Sequence, residues 1–86
     1  MARVVMYSTQ VCPYCVQAKR LLAKKGVAFE EVDVSRDSDL RRMMIQKAGG
    51  RMTVPQIFVD GNYLGDCDGI DALERAGKLD ALLNPA

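Results

Sequence analysis

Apolar and polar positions follow two rhythms along these 86 residues. Val4–Tyr7 is a short apolar, β-branched run and predicts a strand. Pro13 suits the first position of a helix, where its missing N–H costs nothing. Behind it Cys15, Ala18, Leu21 and Leu22 recur at helical spacing, with Lys19, Arg20, Lys24 and Lys25 free for the wet side. Lys24-Lys25-Gly26 is a stop, with cations in the last turn and then Gly. Val27–Val34 predicts a second strand, its alternation broken at Glu30-Glu31. Strand, helix and strand with tight joints form a right-handed βαβ unit.

Ser35, Asp37 or Ser38 can cap a second helix, and Gly49-Gly50 ends it. Leu40, Met43 and Met44 give it an i, i+3, i+4 face, a stripe that reads as core packing. Thr53-Val54-Pro55 leads into a third strand, Gln56–Val59. Asp60-Gly61-Asn62 is a hairpin turn, and Tyr63-Leu64 begins the return strand. Gly65–Gly69 reads as a polar loop. Ile70, Leu73, Leu79, Leu82 and Leu83 supply one or two closing helical segments, with Gly77 as a break. The order β-α-β-α-β-β-α is an α/β fold: a four-stranded mixed sheet with helices on both faces. With no linker, repeat or low-complexity tract, residues 1–86 are expected to form a single domain.

Composition narrows the chemistry. Hydrophobic residues are 49% and charged residues 27%, as in ordinary globular proteins. Lys+Arg number 12 against 11 Asp+Glu, a balance unlike that of a general nucleic-acid binder. The absence of His excludes His-based catalysis and His metal ligands within this chain. No basic-then-apolar leader opens the sequence, and no apolar run approaches the ~18 residues of a membrane span. A cytoplasmic location without membrane association is therefore expected. Three cysteines, Cys12, Cys15 and Cys67, are too few for a disulfide framework, which leaves redox or metal chemistry.

Cys12-Pro13-Tyr14-Cys15 places two thiols where a helix begins. With Pro13 as the first helical residue, Cys12 is the N-cap and faces unpaired amides and the positive end of the helix dipole. Cys15 lies one turn deeper. The pair should be asymmetric, with Cys12 as nucleophile and Cys15 as resolving thiol. A thiol of pKa ~8.5 is only about 3% ionised at pH 7, so full ionisation gains roughly 30-fold in thiolate. A Brønsted slope of ~0.4–0.5 cancels most of that gain in attack, so acidity should chiefly speed expulsion of Cys12 from a mixed disulfide. The competing readings are half a zinc site, which lacks a fourth ligand, and an inert buried pair.

Together with Thr53-Val54-Pro55-Gln56-Ile57-Phe58 and Gly65-Asp66-Cys67-Asp68, the CPYC tetrad resembles the dithiol glutaredoxins, particularly the short bacterial kind. The likeness runs over essentially the whole chain. It implies a thioredoxin fold and glutathione-dependent reduction of protein disulfides and protein–glutathione mixed disulfides. Glutathione is then the co-substrate and no metal is expected. Glutathione reductase would act indirectly through the glutathione pool, ribonucleotide reductase is a candidate protein substrate, and the protein would be a monomer. Pro55 matches the family's cis-proline, leaving the Val54 backbone to pair with an extended peptide beside Cys12, while Thr53 lines the same groove. Cys67-Asp68 opens the third helix and matches the turn that holds the γ-glutamyl end, with helix amides for its carboxylate and Asp68 for its ammonium. Arg42 matches a residue that binds the glycine carboxylate, and Tyr14 would flank the glutathione backbone.

Each of these has a plainer reading. Pro55 could start an edge strand, Asp68 could be only an N-cap, Cys67 a packed small residue, Arg42 part of a solvated helix face, and Tyr14 surface packing. Three positions depart from the family pattern. Thr9 stands where a basic residue is common, Asp66 replaces a Gly, and Gly69 replaces an Asp. Rival functions are a redoxin recharged by thioredoxin reductase, an iron–sulfur carrier bridged by Cys12 and glutathione, and a non-catalytic binding module.

Overall fold

The computed structural model describes residues 3–83. Its elements are β1 (Val4–Ser8), α1 (Pro13–Lys24), β2 (Phe29–Asp33), α2 (Ser38–Lys47), β3 (Gln56–Val59), β4 (Asn62–Gly65), α3 (Cys67–Arg75) and α4 (Leu79–Leu83). The sheet order is β2-β1-β3-β4. β1 pairs parallel with β2, as the βαβ unit requires, and antiparallel with β3, which pairs antiparallel with β4. The chain therefore has the four-stranded mixed sheet of the expected α/β fold.

Helices cover both faces of the sheet. Val4, Met6, Ile57 and Val59 pack on one side against Ala18 and Leu22 of α1, Ile70 of α3, and Leu79 and Leu83 of α4. Tyr7 and Phe58 pack on the other side with Val34, with Met44 of α2 and with Ala48, its C-cap. The Phe58 ring meets Tyr7 edge-on at 5.6 Å and Tyr63 at 5.5 Å. Because β1 and β3 are central and covered on both faces, neither shows alternating burial.

β2 is shorter than the expected Val27–Val34. The Val27 amide donates to Leu22 O at 3.1 Å and so closes α1 instead of joining the ladder. Glu30 and Glu31 break the hydrophobic alternation because β2 is an edge strand. Glu30 pairs with Arg3 at 2.9 Å, and Glu31 pairs with Lys19 of α1. Asp37 is the cap of α2. The Met stripe needs a correction: Met44 is fully buried but Met43 is 40% exposed. The inward positions are Leu40, Met44 and Ala48, four apart, and Met43 falls beside that line.

The hairpin turn narrows to Asp60 and Gly61, with φ of 52° and 84°, as a type I′ turn demands of both central residues. The polar loop expected over Gly65–Gly69 is also corrected. Gly65 is the last residue of β4, Asp66 alone makes the joint, and α3 starts at Cys67. Gly65 has φ of 152°, and a Cβ there would lie 3.4 Å from the Gly69 backbone, so the joint is built for glycine.

Candidate active site

α1 begins with Pro13, and Cys12 is its N-cap in extended conformation, φ −153° and ψ 107°. The Cys15 amide donates to Cys12 Sγ at 3.3 Å. Sγ also lies 3.8 Å from the Val54 carbonyl oxygen. Cys12 is part-exposed, Cys15 is 1% exposed, and both are free thiols. Burial raises the Cys12 pKa. Hydrogen bonds from the Cys15 thiol, the Cys15 and Tyr14 amides and the Thr9 hydroxyl outweigh it and hold Cys12 below the ordinary thiol range. Burial, together with the Cys12 sulfur, pushes Cys15 up to about 11. The expected asymmetry thus has a structural cause.

Beside the Cys12 sulfur runs a groove of about 270 Å³. Tyr14 of α1, Thr53-Val54-Pro55 before β3, and Asp66-Cys67-Asp68 at the start of α3 form its walls. The Val54–Pro55 bond is cis. Gln56, fully buried, fixes the Thr53 wall: its Nε2 donates to Thr53 O at 2.8 Å and to Thr53 Oγ1 at 3.2 Å. Arg41 donates to Met52 O at 3.0 Å and fastens the same loop to α2. A larger cavity of about 530 Å³ lies on the α2 face among Arg3, Tyr7, Glu30 and Phe58. No cysteine lines it, whereas Cys67 lines the smaller groove and the Cys12 sulfur lies against its Val54 wall.

A glutaredoxin family model matches residues 4–64. A glutaredoxin from Pseudomonas aeruginosa is 51% identical over 84 residues, covering 98% of this chain and 99% of its own. Glutaredoxin 3 of Escherichia coli K12 is 47% identical over 83 residues, covering 96% and 99%. The chain belongs to the glutaredoxin family. Among solved structures, a buckwheat glutaredoxin–glutathione complex superposes with a TM-score of 0.85 at 29% identity, covering 95% of this chain and 76% of that one. The thioredoxin fold follows from the same kinship, and so does the reaction class, glutathione-dependent thiol–disulfide oxidoreduction.

Within this glutaredoxin, six residues read from the sequence share the groove: Tyr14, Thr53, Val54, Pro55, Cys67 and Asp68. Arg42 is not among its walls. It lies on an exposed face of α2, 3.7 Å from Asp39. The cap of α3 is Asp66, not Asp68: its Oδ1 accepts the Gly69 amide at 2.7 Å. A Cβ at position 69 would sit 3.1 Å from that oxygen, so Asp66 and Gly69 are departures that fit each other. Asp68 is left exposed at the groove with its carboxylate uncommitted to capping. Cys67 is buried and donates to Gln17 Oε1 at 3.7 Å. Burial first, then Asp68, Asp71 and Asp66, raises its pKa, which suits a packed thiol better than a second nucleophile.

Two contributors were missed in the sequence. Thr9 carries no charge to mark it in the sequence, yet its hydroxyl helps to ionise Cys12. Gln56 was noted only as a strand residue. A polar side chain heading the run Gln56-Ile57-Phe58-Val59, otherwise wholly apolar and buried, was the available signal. Among the described residues no cluster of three or more His, Cys, Asp or Glu could hold a metal ion, and no helix is long and apolar enough to cross a membrane.

Proposed function

We propose that Cys12 is the nucleophile and Cys15 the resolving thiol of a glutathione-coupled disulfide reductase, with residues 1–86 acting as one domain. The observation that carries the reading is the Cys12 sulfur at the cap of α1, beside the groove and bonded to the Cys15 amide at 3.3 Å. In the monothiol route the Cys12 thiolate attacks the glutathione sulfur of a mixed disulfide. The substrate thiolate leaves and takes up a proton. A glutathione thiolate then attacks the Cys12-bound glutathione, giving glutathione disulfide and restoring the Cys12 thiolate. In the dithiol route Cys12 attacks a protein disulfide, Cys15 displaces the protein from Cys12, and two glutathione molecules reduce the resulting Cys12–Cys15 disulfide.

Glutathione fits the groove as an extended peptide. The buckwheat relative was solved as a glutathione complex, which supports the same ligand here. Its cysteine segment would lie along Val54, with Thr53 and Tyr14 to either side. Its γ-glutamyl carboxylate would meet the first amides of α3, a nine-residue helix, beside Cys67. Asp68 would take the ammonium. Arg42 would reach the glycine carboxylate by leaving Asp39, a weak exposed pairing. Disulfide-containing and glutathionylated proteins, ribonucleotide reductase among them, would be the acceptors. Glutathione reductase would restore the pool, and the protein would work as a cytoplasmic monomer without membrane or nucleic-acid contacts.

The test is reduction of a glutathionylated small disulfide by wild type, Cys12→Ser and Cys15→Ser. Activity should vanish with Cys12→Ser, falling more than about 100-fold because the attacking thiolate is gone. Cys15→Ser should retain a substantial fraction, since the monothiol route needs only Cys12. Equal loss in both variants would contradict the assignment.

A further inference from the structure

We propose that Lys19, paired with the Ser8-anchored Glu31 in a cavity separate from the groove, is the positioning cation of the Cys15 resolving step. The inference rests on the roles of Cys12 and Cys15 proposed above.

The geometry is local and closed. Lys19 follows Cys15 by four residues on α1, one turn along the same face. Its ammonium pairs with Glu31 on edge strand β2. Glu31 Oε2 in turn accepts the Ser8 hydroxyl at 2.7 Å, and Ser8 is 1% exposed. Ser8 ends β1, and the Thr9 backbone that follows lowers the Cys15 pKa. Ser8, Thr9, Gln10, Lys19, Glu31 and Asp33 line a separate cavity of about 180 Å³. Ser8, Lys19 and Glu31 are not among the walls of the glutathione groove, and the dithiol route above does not use them.

The chemistry gives this cation a task. When Cys12 is joined to a protein, Cys15 must attack as a thiolate: a Cys15–Cys12 bond forms, the Cys12–protein bond breaks, and the departing thiolate takes up a proton. The proton lost by Cys15 passes to solvent, so the step balances, with two electrons from the cysteine pair reducing the substrate disulfide. In that intermediate the Cys12 sulfur is neutral and no longer opposes ionisation of Cys15. Burial still does, and only the Thr9 backbone and Lys19 act against it. Lys19 itself stays an ammonium, because its bond to Glu31 raises its pKa and the same bond lowers that of Glu31. Neither group is a proton acceptor at neutral pH; the contribution of Lys19 is its fixed charge. From β2, Glu31 and Asp33 bear on Lys19; from α3, Cys67 senses the charge of Cys12.

Stopped-flow mixing of reduced protein with a chromogenic aromatic disulfide separates the two steps. The first burst of aromatic thiol reports attack by Cys12. The second reports its displacement by Cys15 and is identified by its loss in Cys15→Ser. Lys19→Gln should slow the second phase about two- to fivefold at pH 7, the size of a partly exposed charge interaction. It should also move that phase's pH profile upward, since a lost cation disfavours the thiolate, while the first phase serves as the internal reference. Lys19→Arg should restore both rate and profile. An unchanged second phase overturns the proposal. So does equal slowing of both phases with an unmoved pH profile, which would mark a merely structural lysine. Absence of any Cys15-dependent second phase in the wild type would instead overturn the reading of the cysteine pair.

Discussion

Thr9 favours the Cys12 thiolate without carrying a charge. Its hydroxyl is one of four donors that favour the Cys12 thiolate, beside the Cys15 thiol and the amides of Cys15 and Tyr14. Substituting Thr9→Val removes a donor and keeps the shape. Alkylation of Cys12 should then become half-maximal at a higher pH than in wild type, because a weakened thiolate needs a more basic solution to form. Weak salt dependence is predicted as well. Hydrogen bonds at short range are little screened, so the Cys12 titration should move much less between 0.01 and 1 M salt than one governed by a distant lysine. The role of Thr9 was illegible in the sequence because a hydroxyl next to a cysteine motif carries no chemical signature until a fold turns it toward the sulfur.

At the scale of elements, both helix starts that bear on the groove are set by their caps. Cys12 caps α1 and Asp66 caps α3. Removing the second cap by Asp66→Ala should cost about 1 kcal/mol in urea denaturation, and Asp66→Asn much less, since an amide oxygen still accepts from Gly69. The start of α1 was legible because proline, cysteine spacing and the following apolar period agree. By residue type alone the start of α3 looks like a loop, because Gly65, Asp66 and Gly69 are all turn formers; only the family resemblance put a helix start at Cys67-Asp68, where α3 begins. Their true pattern is an Asp cap whose acceptor reaches the third helical amide. β3 and the hairpin were read correctly from an apolar run and an Asp-Gly pair. The ends of β2 were not, because Val27 is as apolar as a strand residue while its amide closes a helix.

For the whole molecule, the sheet is a wall with a core on each side, and the cysteine pair stands at its end where α1 begins. The α1 helix is the part that joins core to chemistry: Ala18 and Leu22 anchor it on the sheet, and Lys25 ties its end to Glu74 at 2.6 Å and Asp80 at 3.1 Å. Leu22→Ala, at a site with no exposed surface, should cost about 2–5 kcal/mol in denaturant unfolding. Against a total of roughly 5–15 kcal/mol, that is enough to loosen the molecule and with it the groove. The fold class was legible because strand and helix periods succeed one another cleanly. The assembly of the groove was not, since Tyr14, Val54 and Asp68 are distant in sequence and only the fold brings them together.

Everything in this account turns on whether Cys12 is ionised near neutral pH while Cys15 is not. The direct measurement is alkylation of the reduced wild-type protein across pH, with the modified cysteine identified by mass spectrometry. Cys12 is predicted to be half-reactive clearly below the ordinary thiol value of about 8.5, with Cys15 still largely unmodified at that pH. Two thiols titrating together at the ordinary value would contradict it.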